Sequence, residues 1–325
     1  MKLFRIAATA ALAMSALVGA GAHAADAFPS KPITLIVPWN AGGSVDLTAR
    51  KLADILGKSG VTVVVENVPG ASSTIGLTKV ANAAPDGYTV GLATSSLMGA
   101  VAQDMTKLRV DQFKALNQTT IEQMILVVSK SSPVNTIEEF VALMKKKPGG
   151  VSIGTAGNNN VNHTFAAMLA RANEVSYINV PYTGGAKVLT DLAGHQIDGA
   201  VLKPSETLSQ INGGLIRPVG VFSNERVSIM PKVPTFAEKK IDVFPFGDLQ
   251  QMSYLVGPKG LSAERAQQLQ ELFAKAIASE GYQTFARDYG MKVSDVRGDE
   301  LQKQVVAIQN TFNTVAPKIF TKQSQ

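Results

Sequence analysis

Apolar and polar positions alternate between two periods along this chain. Residues 33–37, Ile-Thr-Leu-Ile-Val, form a compact β-branched run. Leu47, Ala49, Leu52, Ala53, Ile55 and Leu56 then recur at helical spacing. Residues 61–65 return to the strand pattern. Residues 74–84 read as a helix that stops before the turn Pro85-Asp86-Gly87, and 89–93 as a third strand. Thr136-Ile137-Glu138-Glu139 is a capping box opening a helix that Lys145-Lys146-Lys147 closes. Strand-like runs at 151–153, 177–180 and 197–201 are separated by helical patterns at 162–172 and about 186–192. The longest helical stretches, 263–278 and 301–319, come last. Such alternation predicts an α/β protein with mostly parallel sheets flanked by helices. The strand–helix units cluster twice, so two lobes of similar build are expected.

Composition narrows the class. The chain has 325 residues, 45% of them hydrophobic and 17% charged, a globular balance with room for two cores. It has no cysteine. Disulfides, thiolate metal sites, cysteine nucleophiles and lipid attachment through cysteine are therefore excluded. Net charge is +6, yet the one dense basic run, 145–147, reads as a favourable helix C-terminus with no aromatic interleaved. Nucleic-acid binding is not expected. At the N-terminus, Lys2 and Arg5 precede an uncharged Ala/Leu-rich run that ends Ala22-His23-Ala24. This is the pattern of a signal peptide cleaved after Ala24, and it predicts export to the periplasm. The run is shorter and richer in alanine than a membrane span requires.

The loops that follow the strands carry the candidate chemistry, because ligands of such sheets bind beyond the carboxyl ends of strands. The first holds Trp39, Asn40, Gly42, Gly43, Ser44 and Asp46. Paired glycines let the backbone approach a ligand, and the helix start behind them attracts anions. It fits neither a dinucleotide fingerprint nor a phosphate-binding loop. Four more loops resemble it: one with Ser72 and Ser73, one with Thr94, Ser95 and Ser96, one with Thr155, Asn158 and Asn159, and one with Tyr182, Thr183, Gly184 and Gly185. Each alone reads as a turn. Together they would line a cleft with N–H and O–H donors suited to an anionic ligand. Trp39, the only tryptophan, either packs on the lobe or borders that cleft.

These residues carry a family resemblance. Phe28-Pro29-Ser30-Lys31-Pro32 leading through Pro38-Trp39 to Gly42-Gly43 and Asp46 resembles the opening of the Bug-type binding proteins of tripartite tricarboxylate transporters. So do Val65-Glu66-Asn67 with Pro69-Gly70-Ala71, Ala84-Pro85-Asp86-Gly87-Tyr88-Thr89, Val180-Pro181-Tyr182 with Gly184-Gly185, Val233-Pro234-Thr235-Phe236-Ala237-Glu238 and Gly257-Pro258-Lys259-Gly260. The resemblance implies a two-lobed periplasmic clamp hinged on two crossover strands, 124–129 and 252–256. Lobe one would comprise 25–127 plus 252–325, and lobe two 128–251. It also implies a small organic carboxylate ligand (a di- or tricarboxylate or an aromatic acid), held by the loops above. Delivery to inner-membrane transporter subunits by a monomer without cofactor or metal follows by the same analogy. Lys203 stands where the strand 197–201 meets the implied ligand-facing segment. It is the cation expected to balance a carboxylate.

Other classes find less support. No Gly-x-Ser-x-Gly elbow exists, and neither His163 nor His195 has a partner at metal-ligand spacing. His195 reads as a surface turn residue. His163, in the first turn of a helix behind the Asn-rich loop, is a candidate ligand contact. Glu138 and Glu139 read as a helix cap, and Asp242 and Asp248 as loop residues. A periplasmic hydrolase would need a nucleophile–base pair that the sequence does not supply. A periplasmic sensor that presents the bound acid to a membrane receptor would share the binding step.

Overall fold

The computed structural model describes residues 28–247 and 249–320. The segment read as a signal peptide, 1–24, and Asp248 lie outside them. Residues 28–31 hold no helix or strand.

Strand β1 (Ile33–Val37) pairs in parallel with β2 (Val63–Asn67) on one side and β3 (Thr89–Thr94) on the other. Ile33, Leu35, Ile36 and Val37 are fully buried. Burial on both faces accounts for a run that is apolar at every position but Thr34 rather than alternating. The second strand begins two residues later than its β-branched run predicts, because Val63 is the residue that registers with Ile33. Helices α1 (Ser44–Lys58), α2 (Thr74–Ala81) and α3 (Ser95–Ala102) lie along the chain after these three strands.

Strand β4 (Phe113–Glu122) and strand β5 (Met124–Ser129) are separated by Gln123 alone. The chain then runs through α4 (Ile137–Lys146), β6 (Ser152–Thr155), α5 (Val161–Ala172), β7 (Ile178–Pro181), α6 (Gly185–Ala193), β8 (Gly199–Leu202), α7 (Pro204–Asn212) and β9 (Ile216–Phe222). It returns as β10 (Gln251–Pro258) and ends in α8 (Ala263–Ala278), α9 (Glu280–Asp288) and α10 (Gly298–Ile319). The expected cap at Thr136 is present, its hydroxyl accepting the Glu139 N–H at 3.2 Å. Lys145, Lys146 and Lys147 are solvated.

Two five-stranded mixed sheets result, with orders β2-β1-β3-β10-β4 and β7-β6-β8-β5-β9. In each, one strand opposes the rest: β10 is antiparallel to β3 and β4, and β5 to β8 and β9. The reason is topological. The strands β1, β3, β6, β7 and β8 end at the cleft, and β4 ends beside them. Strand β5 must therefore start at the cleft and run away from it. Strand β10 enters the first sheet from the cleft in the same way. The segment 124–129 pairs only within the second sheet and 252–256 only within the first. The passages between sheets are Gln123 and the stretch between β9 and β10.

Close packing sets the position of α6. A Cβ on Gly154 of β6 would meet Ile197 Cδ1 at 2.5 Å and Val188 Cγ1 at 2.9 Å. Only glycine lets the helix lie this near the strand. Deeper in the second lobe, Phe165 of α5 meets Phe222 and Phe244 edge-on at 5.4 and 5.9 Å, a geometry that aromatic quadrupoles favour.

Candidate functional site

A cavity of about 630 Å³ lies between the carboxyl ends of the two sheets. This is a usual size for a small-molecule site. Trp39, Asn40, Gly42, Gly43 and Ser44 line it from the first loop, and Thr94 and Ser96 from the third. Thr183, Gly184, Gly185 and Lys203 line it from the second lobe. The lobes touch around it. Asn40 Nδ2 donates to the Thr183 carbonyl at 3.2 Å, Ser72 Oγ to the Asn158 carbonyl at 3.1 Å, and Gln103 Nε2 to the Asn159 carbonyl at 2.7 Å.

Helix starts supply most of the polar wall. Three are capped from within: Thr94 caps α3, Asn160 caps α5, and the Glu206 carboxylate accepts the Lys203 N–H at the start of α7. The other two, α1 and α6, are preceded by Gly43 and Gly184 and have no side-chain cap. Their first-turn N–H groups lack the acceptor that a cap would provide.

Asp46 does not line the cavity; it braces the loop that does. Its carboxylate accepts from Gly42 N, Arg50 Nε and Asn67 Nδ2, each at 2.9 Å. Burial pushes this carboxyl up, but Arg50, the Gly42 N–H and Asn67 together outweigh burial and hold it below the usual range. Gly42 sits at φ +85°, a turn that favours glycine.

Several other candidates do not line the cavity. Ser73 is fully buried behind the second loop. Ser95 Oγ donates to the Gln250 carbonyl at 2.6 Å and accepts the Met252 N–H, so it ties α3 to the returning strand. The Thr155 hydroxyl lies 2.9 Å from Asn179 Oδ1, and Asn179 Nδ2 donates to Asn158 Oδ1. Tyr182 O–H donates to Asp191 at 2.9 Å. His195 is an exposed turn residue beside Ser131.

His163 is buried away from the cavity, its ring edge-on to Phe320 at 4.8 Å, and its Nδ1 accepts the Asn159 N–H. Burial pulls its pKa from 6.5 to about 4. The unfolded chain therefore gains a proton near pH 6.5 that the folded imidazole refuses until about pH 4. Stability is full above the first value and falls between the two, by about 2–3 kcal/mol at pH 4.5. Urea melts of His163→Gln should lose that much less than the parent between pH 7 and pH 4.5. Equal losses would mean that His163 titrates normally.

Lys203 lines the cavity, but its charge is already met. Its Nζ lies 3.4 Å from Glu206 Oε1 and 4.0 Å from Glu122 Oε1. Burial pulls this ammonium down, and the two carboxylates more than reverse that, so it stays charged. Glu122, at the end of β4, joins the lobes: Ser44 Oγ donates to it at 2.5 Å, and Ser205 Oγ donates to its other oxygen. Burial pushes the Glu122 carboxyl up, and Lys203 and the two hydroxyls only partly offset this. The sequence reading missed Glu122, Ser205, Glu206 and Gln251. For Ser205 and Glu206 the signal was their place beside Lys203. Glu122 gave none, since its partners are 78 and 83 residues away.

Two α/β lobes joined by two passages, with a donor-lined cleft at the strand ends, define a periplasmic solute-binding clamp. Comparison with known proteins gives the family. The model of the "Tripartite tricarboxylate transporter family receptor", TctC, matches residues 48–321. A Cupriavidus necator protein described as "UPF0065 protein in gbd 5'region" is 32% identical over 292 residues, 88% of this chain and 86% of its own. The periplasmic binding protein BugD superposes with a TM-score of 0.83 at 28% identity, over 90% of this chain and 98% of its own. An R. palustris protein solved with adipate shares the fold, with a TM-score of 0.84 at 24% identity, over 90% and 98%. The chain belongs to the TctC family of solute receptors, the Bug proteins, which are binding proteins and not enzymes. Among the described residues, no helix is long and apolar enough to cross a membrane.

Proposed function

We propose that this receptor captures a small organic carboxylate in the interlobe cavity and hands it to the membrane subunits of a tripartite transporter. One observation carries the reading: the uncapped starts of α1 and α6, from opposite lobes, line the same cavity. A helix start is a ready anion site, with free N–H groups and about half a positive charge. A carboxylate held between the two contacts both lobes at once, and that contact favours the closed clamp. The adipate-bound protein of the same fold supports a carboxylate in a cleft of this architecture. The family supports delivery to a transporter.

A thermal-shift screen of the purified chain against organic acids tests the reading. At a hundredfold excess over Kd a ligand stabilises by about 2.7 kcal/mol, which raises Tm by about 4 °C. Trp39 supplies a second signal. It is the only tryptophan, lines the cavity, and its Nε1–H is buried without a partner. Its emission should shift on titration with an acid that raises Tm. Acids that leave both Tm and emission unchanged across the screen would refute carboxylate capture.

A further inference from the structure

The walls of the cavity say more about the ligand than that it is an anion. Their charged groups pair off. Lys203 faces Glu206 at 3.4 Å, and Lys187 faces Asp191 at 2.6 Å. The positive charge that remains to meet an anion is that of the pair of uncapped helix starts. Two half-charges balance one carboxylate, not two or three. Around them the wall is largely apolar: Trp39, Leu47, Val161, Leu189, Leu208 and Tyr289 all line the cavity. A second carboxylate against these side chains would lose its water with no unpaired cation to meet it.

Two polar groups of the lining are left over, the Trp39 Nε1–H and the Gln251 amide, and only the second can accept as well as donate. Gln251, the first residue of β10, lines the cavity and is 4% exposed, and its Oε1 has no hydrogen-bond partner. A buried amide oxygen left unpaired costs about 1–3 kcal/mol. The other end residues of this sheet edge are satisfied: Glu122, registered opposite Gln251, is held by two hydroxyls. Gln251 thus presents a neutral amide in the cavity wall, its oxygen buried with nothing of the protein to accept from. Turned over, the same amide presents its N–H groups.

We infer that the ligand is a monocarboxylate with an apolar body bearing one hydroxyl, its carboxylate between the starts of α1 and α6 and its hydroxyl on the Gln251 amide. This rests on the carboxylate-binding reading above and narrows it. Recognition of the hydroxyl by a buried amide gives discrimination that an apolar wall alone cannot, because the unsubstituted acid leaves the amide unpaired.

Isothermal titration calorimetry on the purified chain tests the inference. One panel comprises phenylacetate, 4-hydroxyphenylacetate, mandelate and 2-hydroxyisocaproate; the other comprises succinate, malate, adipate and citrate. The tightest hydroxylated monocarboxylate should bind at least tenfold better than any acid of the second panel. Gln251→Leu should weaken that ligand about tenfold and leave phenylacetate within twofold; Gln251→Met replaces it if Gln251→Leu does not fold. Tighter binding of succinate, malate, adipate or citrate would overturn the monocarboxylate assignment while leaving the carboxylate reading intact. Wild-type affinity of the hydroxylated acid in the Gln251 variant that folds would remove Gln251 from the site. No binding of any acid in either panel would overturn the carboxylate reading together with this one.

Discussion

Gly43→Asp should abolish acid binding, by at least a hundredfold or about 3 kcal/mol, while the free protein keeps its stability to within about 1 kcal/mol. Gly43 precedes α1 with φ −79° and ψ 167°, an extended conformation open to any residue. A Cβ there would meet nothing nearer than the Asn40 carbonyl at 3.7 Å. Asp is among the preferred residues before a helix, and its carboxylate would accept from the N–H of Val45 or Asp46. Those are the donors assigned to the ligand, so the substitution fills the site with an acid of its own. It also adds a negative charge where an anion must bind. Gly43→Asn separates the two effects, since it caps without charge, and it should weaken binding only about tenfold. Calorimetry with the tightest acid measures both, and urea melts of the free proteins measure the stability. Parental affinity in Gly43→Asp would remove the start of α1 from the site.

Lys203→Ala should destabilise the free protein by about 3–5 kcal/mol at neutral pH, the usual result of breaking a buried ion pair from one side. The Lys203 side chain is 9% exposed and lies between Glu122 and Glu206, which are 2% and 13% exposed. Without the ammonium, two carboxylates share a dry corner. Glu122, whose carboxyl burial already pushes up, is then driven further to hold a proton that the unfolded chain would release, so stability falls as pH rises. The variant should accordingly regain part of its loss between pH 7 and pH 5. The double variant Lys203→Ala with Glu206→Gln should recover part of it at pH 7, because one of the stranded charges is gone. Urea melts at both pH values decide the matter. From sequence, Lys203 stood as the ligand's cation, a role in which Lys203→Ala costs affinity and little stability. Unchanged melts with lost binding would restore that role.

These two residues show where sequence reading stops. Gly43 was legible because its property is local. A glycine pair between a strand run and a helix pattern presents free N–H groups whatever the rest of the fold does. The same holds for β1, β3, α1 and α5, whose periods are short-range facts. Strand β4 was not legible. Its centre, Asn117-Gln118-Thr119-Thr120, is polar yet buried. Partners distant in sequence meet part of that polarity: Asn117 Nδ2 donates to the Gln270 carbonyl, Thr119 Oγ1 to the Ser253 carbonyl, and Tyr282 O–H to the Thr119 carbonyl, while Asn117 Oδ1, Gln118 Nε2 and Thr120 Oγ1 have no partner. A strand of that composition has no apolar period to detect. Helix α7, which Pro204 opens, was not read from the sequence either.

By itself the sequence determined the α/β class, the two clusters of strand–helix units, the family and the glycine and hydroxyl loops at strand ends. Each depends on residues within a few positions of one another or on ordered motifs along the chain. Tertiary structure alone decided which loops meet in one cavity, and that Ser73, Thr155 and His163 turn away from it. It also decided that Lys203 is neutralised by Glu206 and Glu122, and that Gln251 is left without a partner. Charge balance and hydrogen-bond satisfaction are sums over everything within a few ångströms. In this clamp those neighbours come from segments tens to hundreds of residues apart, and only the fold brings them together.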